Sequence, residues 1–134
     1  MASDRIRRDN QTKTVILDSS AVLMLFEQSI DLENELLRLI GNHTIVIPTP
    51  VTYELKGIAH RGDGKKSQHA KAALKLIEKY QTINSEKKGD EALLDIAKKM
   101  NCIVVTNDKE LRKRLKNIPV PVIFLRGKHK LEIE

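Results

Sequence analysis

This chain of 134 residues has little to cross-link or stack with. Its single cysteine, Cys102, rules out an intrachain disulfide and a thiolate zinc site. There is no tryptophan, and two tyrosines and two phenylalanines complete the aromatic set. A broad platform for single-stranded bases is therefore poorly supplied, and a nucleic-acid partner would be held through phosphates, 2′-hydroxyls and shape. No apolar run approaches the roughly 20 residues of a membrane helix. The opening "MASDRIRRDNQTKT" lacks the apolar stretch of a signal peptide. A cytoplasmic protein without a membrane partner is expected. Neither G-x-x-x-x-G-K-[ST] nor G-x-G-x-x-G occurs, so a nucleotide cradle has no support. A G-x-S-x-G elbow is missing too, and His43, His60, His69 and His129 fall in expected loops, helix starts or the charged end. Nucleophilic catalysis is a poor fit.

Charge and apolar content are what the chain does have. Lys and Arg number 24 against 18 Asp and Glu, for a net charge of +6. That balance favours a polyanionic partner without specifying a fold. Hydrophobic residues make up 40%, enough at this length for one packed domain. A mobile basic lead-in is expected over 1–13, the domain over 14–126 and a charged, weakly patterned tail over 127–134.

Within the domain, "TVILD" (14–18) is a short apolar run ending in an acid, the pattern of a buried parallel strand. "SSAVLMLFEQ" after it is helix-compatible. In "IDLENELLRLI" (30–40), Ile30, Leu32, Leu36, Leu37 and Ile40 share a helix face, and Gly41 ends it. "TIVIPTP" (44–50) predicts a second strand closed by prolines, and "TYELKGIAHR" a helix with Thr52 in its first turn. Residues 61–67, "RGDGKKS", read as a glycine-punctuated basic loop before the helix "QHAKAALKLIEKY". "QTIN" predicts a short third strand, "EALLDIAKKMN" a helix, "CIVVT" a fourth strand with Cys102 as a buried thiol, "KELRKRLKN" a helix and "VPVIFL" a fifth strand. Strands alternating with helices predict an α/β fold of βαβ units, a parallel sheet with helices on both faces.

In such sheets ligands sit beyond the carboxyl ends of the strands, where the following helices begin. Asp18 ends the first strand, and Glu54 lies in the first turn after the second. Asp90 opens the helix after the third, and Asp108 follows the fourth by two residues. Taken singly, each acid is a helix cap or a partner of a helix dipole. Four carboxylates on one edge repel one another and call for positive charge. A hard divalent cation such as Mg²⁺ meets that need with oxygen ligands and several retained waters. One or two such ions activate water and bear the charge developing on a phosphodiester. Ser19, Ser20, Thr106 and Asn107 stand beside the acids, placed to orient carboxylates or waters. Ser19 and Ser20 also read as caps, and Asn107 as a turn residue.

The segments "VILDSSAVL", "TYELKGIA" and "GDEALLDIAKKMNCIVVTNDKELRKRL" resemble the first, second, and joined third and fourth motifs of the PIN-domain ribonucleases. The likeness runs from residue 14 to about 126. Its most specific part is the order acid, helix, apolar strand, T-N-D and basic helix, whereas D-S-S alone is weak. The resemblance implies a three-layer α/β/α sandwich with a central five-stranded parallel sheet. It implies a Mg²⁺- or Mn²⁺-dependent endoribonuclease that hydrolyses RNA phosphodiesters. Asp18, Glu54, Asp90 and Asp108 are then the catalytic, metal-binding acids, with Ser19, Thr106 and Asn107 in support. Within the family, residues 108–134 look most like the PIN nucleases of small-subunit rRNA processing, which implies a ribosomal precursor particle as partner. VapC-type toxin members share the same acids, and there the partner is an antitoxin. Homodimers are common in the family.

Lys109, Arg112, Lys113, Arg114 and Lys116 on the helix after Asp108 are candidate RNA contacts. So are Arg61, Lys65 and Lys66 of the basic loop, and Arg126, Lys128 and Lys130 of the tail. The plainer reading of each is solubility. Asp95, just over a turn beyond Asp90, reads as solvated. "GDEALLDIA" also echoes a late motif of haloacid-dehalogenase-like phosphatases. Those need a second aspartate two residues after the nucleophile, where Ser20 stands. A phosphoacceptor receiver domain wants paired acids after the first strand, and Asp18 is followed by two serines. A non-catalytic RNA-binding or assembly module is the remaining alternative, and the full set of four acids speaks against it.

Overall fold

The computed structural model describes residues 12–127 and 129–134. The basic lead-in through residue 11 and Lys128 lie outside the described residues. Among the described residues, six strands and six helices follow one another as β1 (Lys13–Leu17), α1 (Ser19–Glu27), α2 (Leu32–Ile40), β2 (His43–Pro48), α3 (Thr49–Ala59) and α4 (Lys65–Ile77). Then come β3 (Gln81–Ile83), α5 (Gly89–Lys99), β4 (Ile103–Val105), α6 (Lys109–Leu115), β5 (Val122–Arg126) and β6 (Lys130–Ile133). The strands form where β-branched residues run together. Val15, Ile16 and Leu17 of β1 and all of β4 are buried, as strands covered on both faces must be.

One sheet results, in the order β3-β2-β1-β4-β5-β6, flanked by the helices. The first five strands pair in parallel, with Val15 of β1 registered between Ile45 of β2 and Ile103 of β4. The chain lays β2 and β3 on one side of β1, then returns to add β4 and β5 on the other. The strand order therefore reverses between β1 and β4. A crevice opens at the carboxyl ends of those two strands, because their connections leave in opposite directions.

The sheet has a sixth strand that the sequence reading left in the tail, and β6 pairs antiparallel with β5. Gly127, at φ +71°, makes the reversal that other residues rarely adopt. Along an antiparallel pair, successive residues turn their N–H and C=O alternately toward the partner and away. Glu134 exchanges both bonds with Val122, at 2.9 and 3.3 Å, so Leu131, three residues back, turns its own groups outward. Those groups are taken by α2. The Leu131 N–H donates to Glu35 Oε1 at 2.8 Å, and its carbonyl accepts from Arg38 Nη2 at 2.8 Å. Two side chains thus cover the open polar groups of an edge strand. Hydrogen bonds from Arg38 and then from Leu131 hold the Glu35 carboxyl below its usual range. Their stabilising effect is present above the ordinary carboxylate pKa and is lost as pH falls through the lowered one.

Three local expectations change as well. Leu37, placed on the inward face of α2, is 51% exposed, because Leu32 and Leu36 already fill that side. Lys65 and Lys66 open α4 rather than lying in a loop. α3 starts at Thr49 with Pro50 in its first turn, so Thr52 and Glu54 come later than the first turn expected for them.

Leu131 is fully buried, and truncating it tests whether β6 belongs to the cooperative fold. Leu131→Ala is expected to cost about 2–5 kcal/mol in urea unfolding. Ile133→Ala, at a position 42% exposed, should cost far less. A strand docked only loosely would show no difference between the two.

Candidate active site

Asp18 leaves β1 in extended conformation and caps α1. Its Oδ1 accepts from the Ala21 N–H at 2.7 Å and from Ser20 Oγ at 2.8 Å. Its Oδ2 accepts from Thr106 Oγ1 at 2.5 Å, and Thr106, fully buried, follows β4. That bond ties together the two strands between which the sheet divides. The Asp18 residue is only 6% exposed. Burial pushes its carboxyl up to about 6, and the nearby charge of Asp108 adds to this, against the lowering effect of the three donors.

Asp108 caps α6, where Oδ1 accepts from the N–H groups of Glu110 at 2.9 Å and Leu111 at 3.3 Å. Its own N–H donates to Thr106 Oγ1 at 3.1 Å. One threonine hydroxyl therefore donates to Asp18 and accepts from Asp108. Glu54, exposed on the second turn of α3, accepts at Oε1 from Ser19 Oγ. Asp90 sits half-buried in the first turn of α5, behind Gly89. Burial first, then the charges of Asp108, Glu54 and Glu91, raise its carboxyl against the pull of Arg114. Arg114 of α6 is bonded to Glu91, the neighbour of Asp90.

All four acids, with Ser19 and Ser20, line one cleft of about 130 Å³, whose apolar side is Pro50, Val51 and Leu93. Among the described residues, no three carboxylate, imidazole or thiolate groups already stand as one direct ligand set. The acids share a cleft rather than a point. An all-oxygen donor set spread in this way suits a hard cation that keeps several of its waters. The mutual repulsion felt at Asp18 and Asp90 is relieved by any such charge.

Other candidate residues lie outside the cleft. Asn107 is exposed, and it is its backbone N–H that engages the site, donating to Ser20 Oγ at 3.3 Å. Asp95 pairs with Lys87 at 3.3 Å and Lys99 at 3.2 Å. Arg112, expected to meet RNA, lies 3.9 Å from the centroid of the Phe124 ring and bonds Glu134 at 3.3 Å. It is a clamp on β5 and the C-terminus, as its partners lie far away in sequence. Lys113 approaches Glu110 at 3.8 Å, and Lys109, Arg61, Lys65 and Lys66 are exposed. Cys102 is buried, which pushes its thiol up to about 11 and leaves it a poor nucleophile. Sequence reasoning missed the Arg114–Glu91 pair and the wall of Pro50 and Leu93. Proline in a first helical turn beside an acid was the only available signal for the wall.

A family model described as a PIN like domain matches residues 15–128. The chain is similar to Ribonuclease VapC9 of Archaeoglobus fulgidus, 31% identical over 134 residues that cover 100% of this chain and 98% of that protein. It is 32% identical over 124 residues to Ribonuclease VapC4 of Methanocaldococcus jannaschii, covering 89% of this chain and 95% of the relative. Among solved structures it is similar to the PIN domain endonuclease Utp24, with a TM-score of 0.75, 26% identity and 90% of each chain covered.

The buried Asp18 charge yields a stability test in the presence of a chelator. Its folded pKa of about 6 lies above the ordinary 3.8. This group's contribution is therefore fully present below the lower value and is lost as pH rises through the upper one. Asp18→Asn has no such charge to bury. Its melting temperature should exceed that of the unsubstituted protein at about pH 8, by the equivalent of up to about 3 kcal/mol, with the gap closing toward about pH 4. Equal melting curves at both pH values would show that the carboxylate is not penalised by burial.

Proposed function

Because the chain belongs to the PIN-like domain family and is a PIN-domain nuclease, we propose that it is a divalent-metal-dependent endoribonuclease. Its metal-binding acids are Asp18, Glu54, Asp90 and Asp108. The observation that carries the reading is the single cleft lined by all four, at the point where the strand order reverses. Mg²⁺ or Mn²⁺ fits the all-oxygen donors, and a bound ion supplies the Lewis acidity that phosphodiester hydrolysis draws on. The chain's own residues do the positioning. Thr106 fixes the orientation of Asp18 and the backbone of Asp108 through one hydroxyl, and Ser19 turns Glu54 toward the N-terminus of α1. Pro50, Val51 and Leu93 exclude water from one side of the cleft.

The biological setting we favour is that of a VapC-type toxin, acting in the cytoplasm and restrained by an antitoxin. Both relatives above 30% identity carry the VapC name and are matched over nearly their whole length. The likeness of residues 108–134 to rRNA-processing PIN nucleases supports a second setting, in which a ribosomal precursor particle is the partner.

Purified protein should cut single-stranded RNA with Mg²⁺ or Mn²⁺ and stop when a chelator is added. Asp18→Asn and Asp108→Asn should abolish cutting. Asparagine also caps helices, so Asp108→Asn removes a charge and keeps the fold. Thr106→Val should slow cutting by about 10–100-fold. Mn²⁺ should raise the melting temperature of the unsubstituted protein and leave that of Asp18→Asn unmoved. RNA that is bound but left whole under every metal condition would point instead to a binding module. Growth arrest on expression would favour the toxin setting, and accumulation of an rRNA precursor on depletion the ribosomal one.

A further inference from the structure

We propose that Tyr53 stacks on an unpaired base of the substrate beside the cleft, with Lys56 of α3 and Arg61, just past the end of that helix, taking adjoining phosphates. This inference rests on the nuclease reading and adds a specificity residue to it. Four aromatic side chains are present, and three serve the fold. Phe124 is buried beneath Arg112, while Phe26 and Tyr80 pack against the core. Tyr53 is 69% exposed, more than any other large hydrophobic side chain among the described residues. In a chain so poor in aromatics, the one ring left in water stands next to Glu54.

Its place on the helix puts it at the rim of the cleft. Pro50 lines the cleft, and Tyr53, three residues on, is its neighbour on the helix surface, outside the lining itself. Lys56 Nζ lies 5.8 Å from the ring centroid, so a cation already accompanies the ring. One turn further on, at a pitch of about 5.4 Å, stands Gly57, and His60 and Arg61 follow just past the helix end at Ala59. Arg61 Nε donates to the Gly57 carbonyl at 3.2 Å, which lays the guanidinium back along the helix. The exposed acids of this stretch are Glu54, engaged with Ser19 at the cleft, and Asp63 beyond Arg61.

Gly57 is the independent sign of a visitor. Glycine is a poor choice inside a helix, and packing within the chain does not call for it here. A Cβ at this position would meet nothing nearer than Arg61 Nη2, at 4.0 Å. The Gly57 turn is covered only by the Arg61 guanidinium, the far end of a flexible side chain that can swing aside and allow close approach beside the exposed ring. The cationic ridge of a chain with net charge +6 favours a polyanion over a second copy of itself, since a two-fold contact would press like charges together. Base stacking is tolerant of sequence and needs an unpaired base, so what the ring would hold is one unpaired nucleotide beside the cleft.

The test uses the full chain carrying Asp18→Asn, which leaves RNA uncut, with a short fluorescein-labelled single-stranded RNA and its duplex as probes. Adding Tyr53→Ala should weaken single-strand binding about tenfold, with Tyr53→Phe and Tyr53→Trp within about twofold. Duplex binding should not change. Gly57→Ala should melt higher than its parent yet bind the single strand more weakly. Lys56→Gln should lower the salt slope of binding by about one. In the otherwise unsubstituted enzyme, Tyr53→Ala should raise KM with little change in kcat. Unchanged single-strand affinity in Tyr53→Ala, in a protein that still cuts RNA, overturns this inference alone. A dimer that falls apart on Tyr53→Ala with KM unchanged assigns the ring to a contact between copies and also overturns it. Failure of the unsubstituted protein to bind or cut any RNA overturns the nuclease reading and this inference with it.

Discussion

The site is built around a carboxylate that has almost no access to water. Asp18 lies where the sheet divides, and the strand pairing that places it leaves no freedom to move away. Its N–H donates to the Val105 carbonyl at 3.3 Å, and the Thr106 N–H donates to the Ile123 carbonyl at 3.0 Å. The residues just past β1 and β4 are thereby locked to the neighbouring strands. Thr106 then meets Asp18 with its hydroxyl and Asp108 with the same oxygen. Three donors would ordinarily make a carboxylate more acidic, yet burial outweighs them. An acid held in that condition is tolerated by a fold only where something else gains from it, and functional sites are where such groups concentrate.

Cap and ligand are compatible roles here. Asp18 and Asp108 each cap a helix with Oδ1. On Asp108 neither capping bond uses Oδ2, and on Asp18 Oδ2 is met by a hydroxyl that can turn. Asp90 and Glu54 receive no capping bond at all, since α5 and α3 begin without a side-chain cap. The two acids nearest the β1–β4 division are thus fixed by helix ends. The two across the cleft are positioned by helix registry and by Ser19. Rigid elements rather than loops hold the constellation, which is how precise sites are made.

Much of this arrangement was legible in the residue pattern. Continuous apolar runs such as "TVIL" and "CIVV" mark buried parallel strands, and the rule that sites gather at strand carboxyl ends brings four distant acids together without further information. What was not legible depends on contacts between segments far apart in sequence. β6 buries a single residue fully, Leu131, among charged neighbours, so its alternation is too short to stand out. Its edge is covered by Glu35 and Arg38, from 96 and 93 residues away. Arg112 carries the signature of a basic surface helix, and only the position of Phe124 on β5 reveals that it stacks inside the fold. Leu37 fits the helical period but faces outward, because periodicity defines a stripe and tertiary packing decides its width.

The charge distribution sets an order of events on the nuclease reading. A net charge of +6 draws a polyanion toward the surface, while the cleft itself holds four acids. Of the basic side chains, Arg114 tempers Asp90, and it is already engaged with Glu91. A phosphodiester entering the bare cleft meets repulsion at short range, where screening by salt is least effective. On that reading, cations that occupy the cleft before or together with the phosphate reconcile attraction outside with repulsion inside. Such a chain binds its substrate through the periphery and admits the reacting group only when the acids are neutralised. On that reading affinity and hydrolysis are divided between groups, the exposed lysines and arginines serving the first and the carboxylates of the cleft the second.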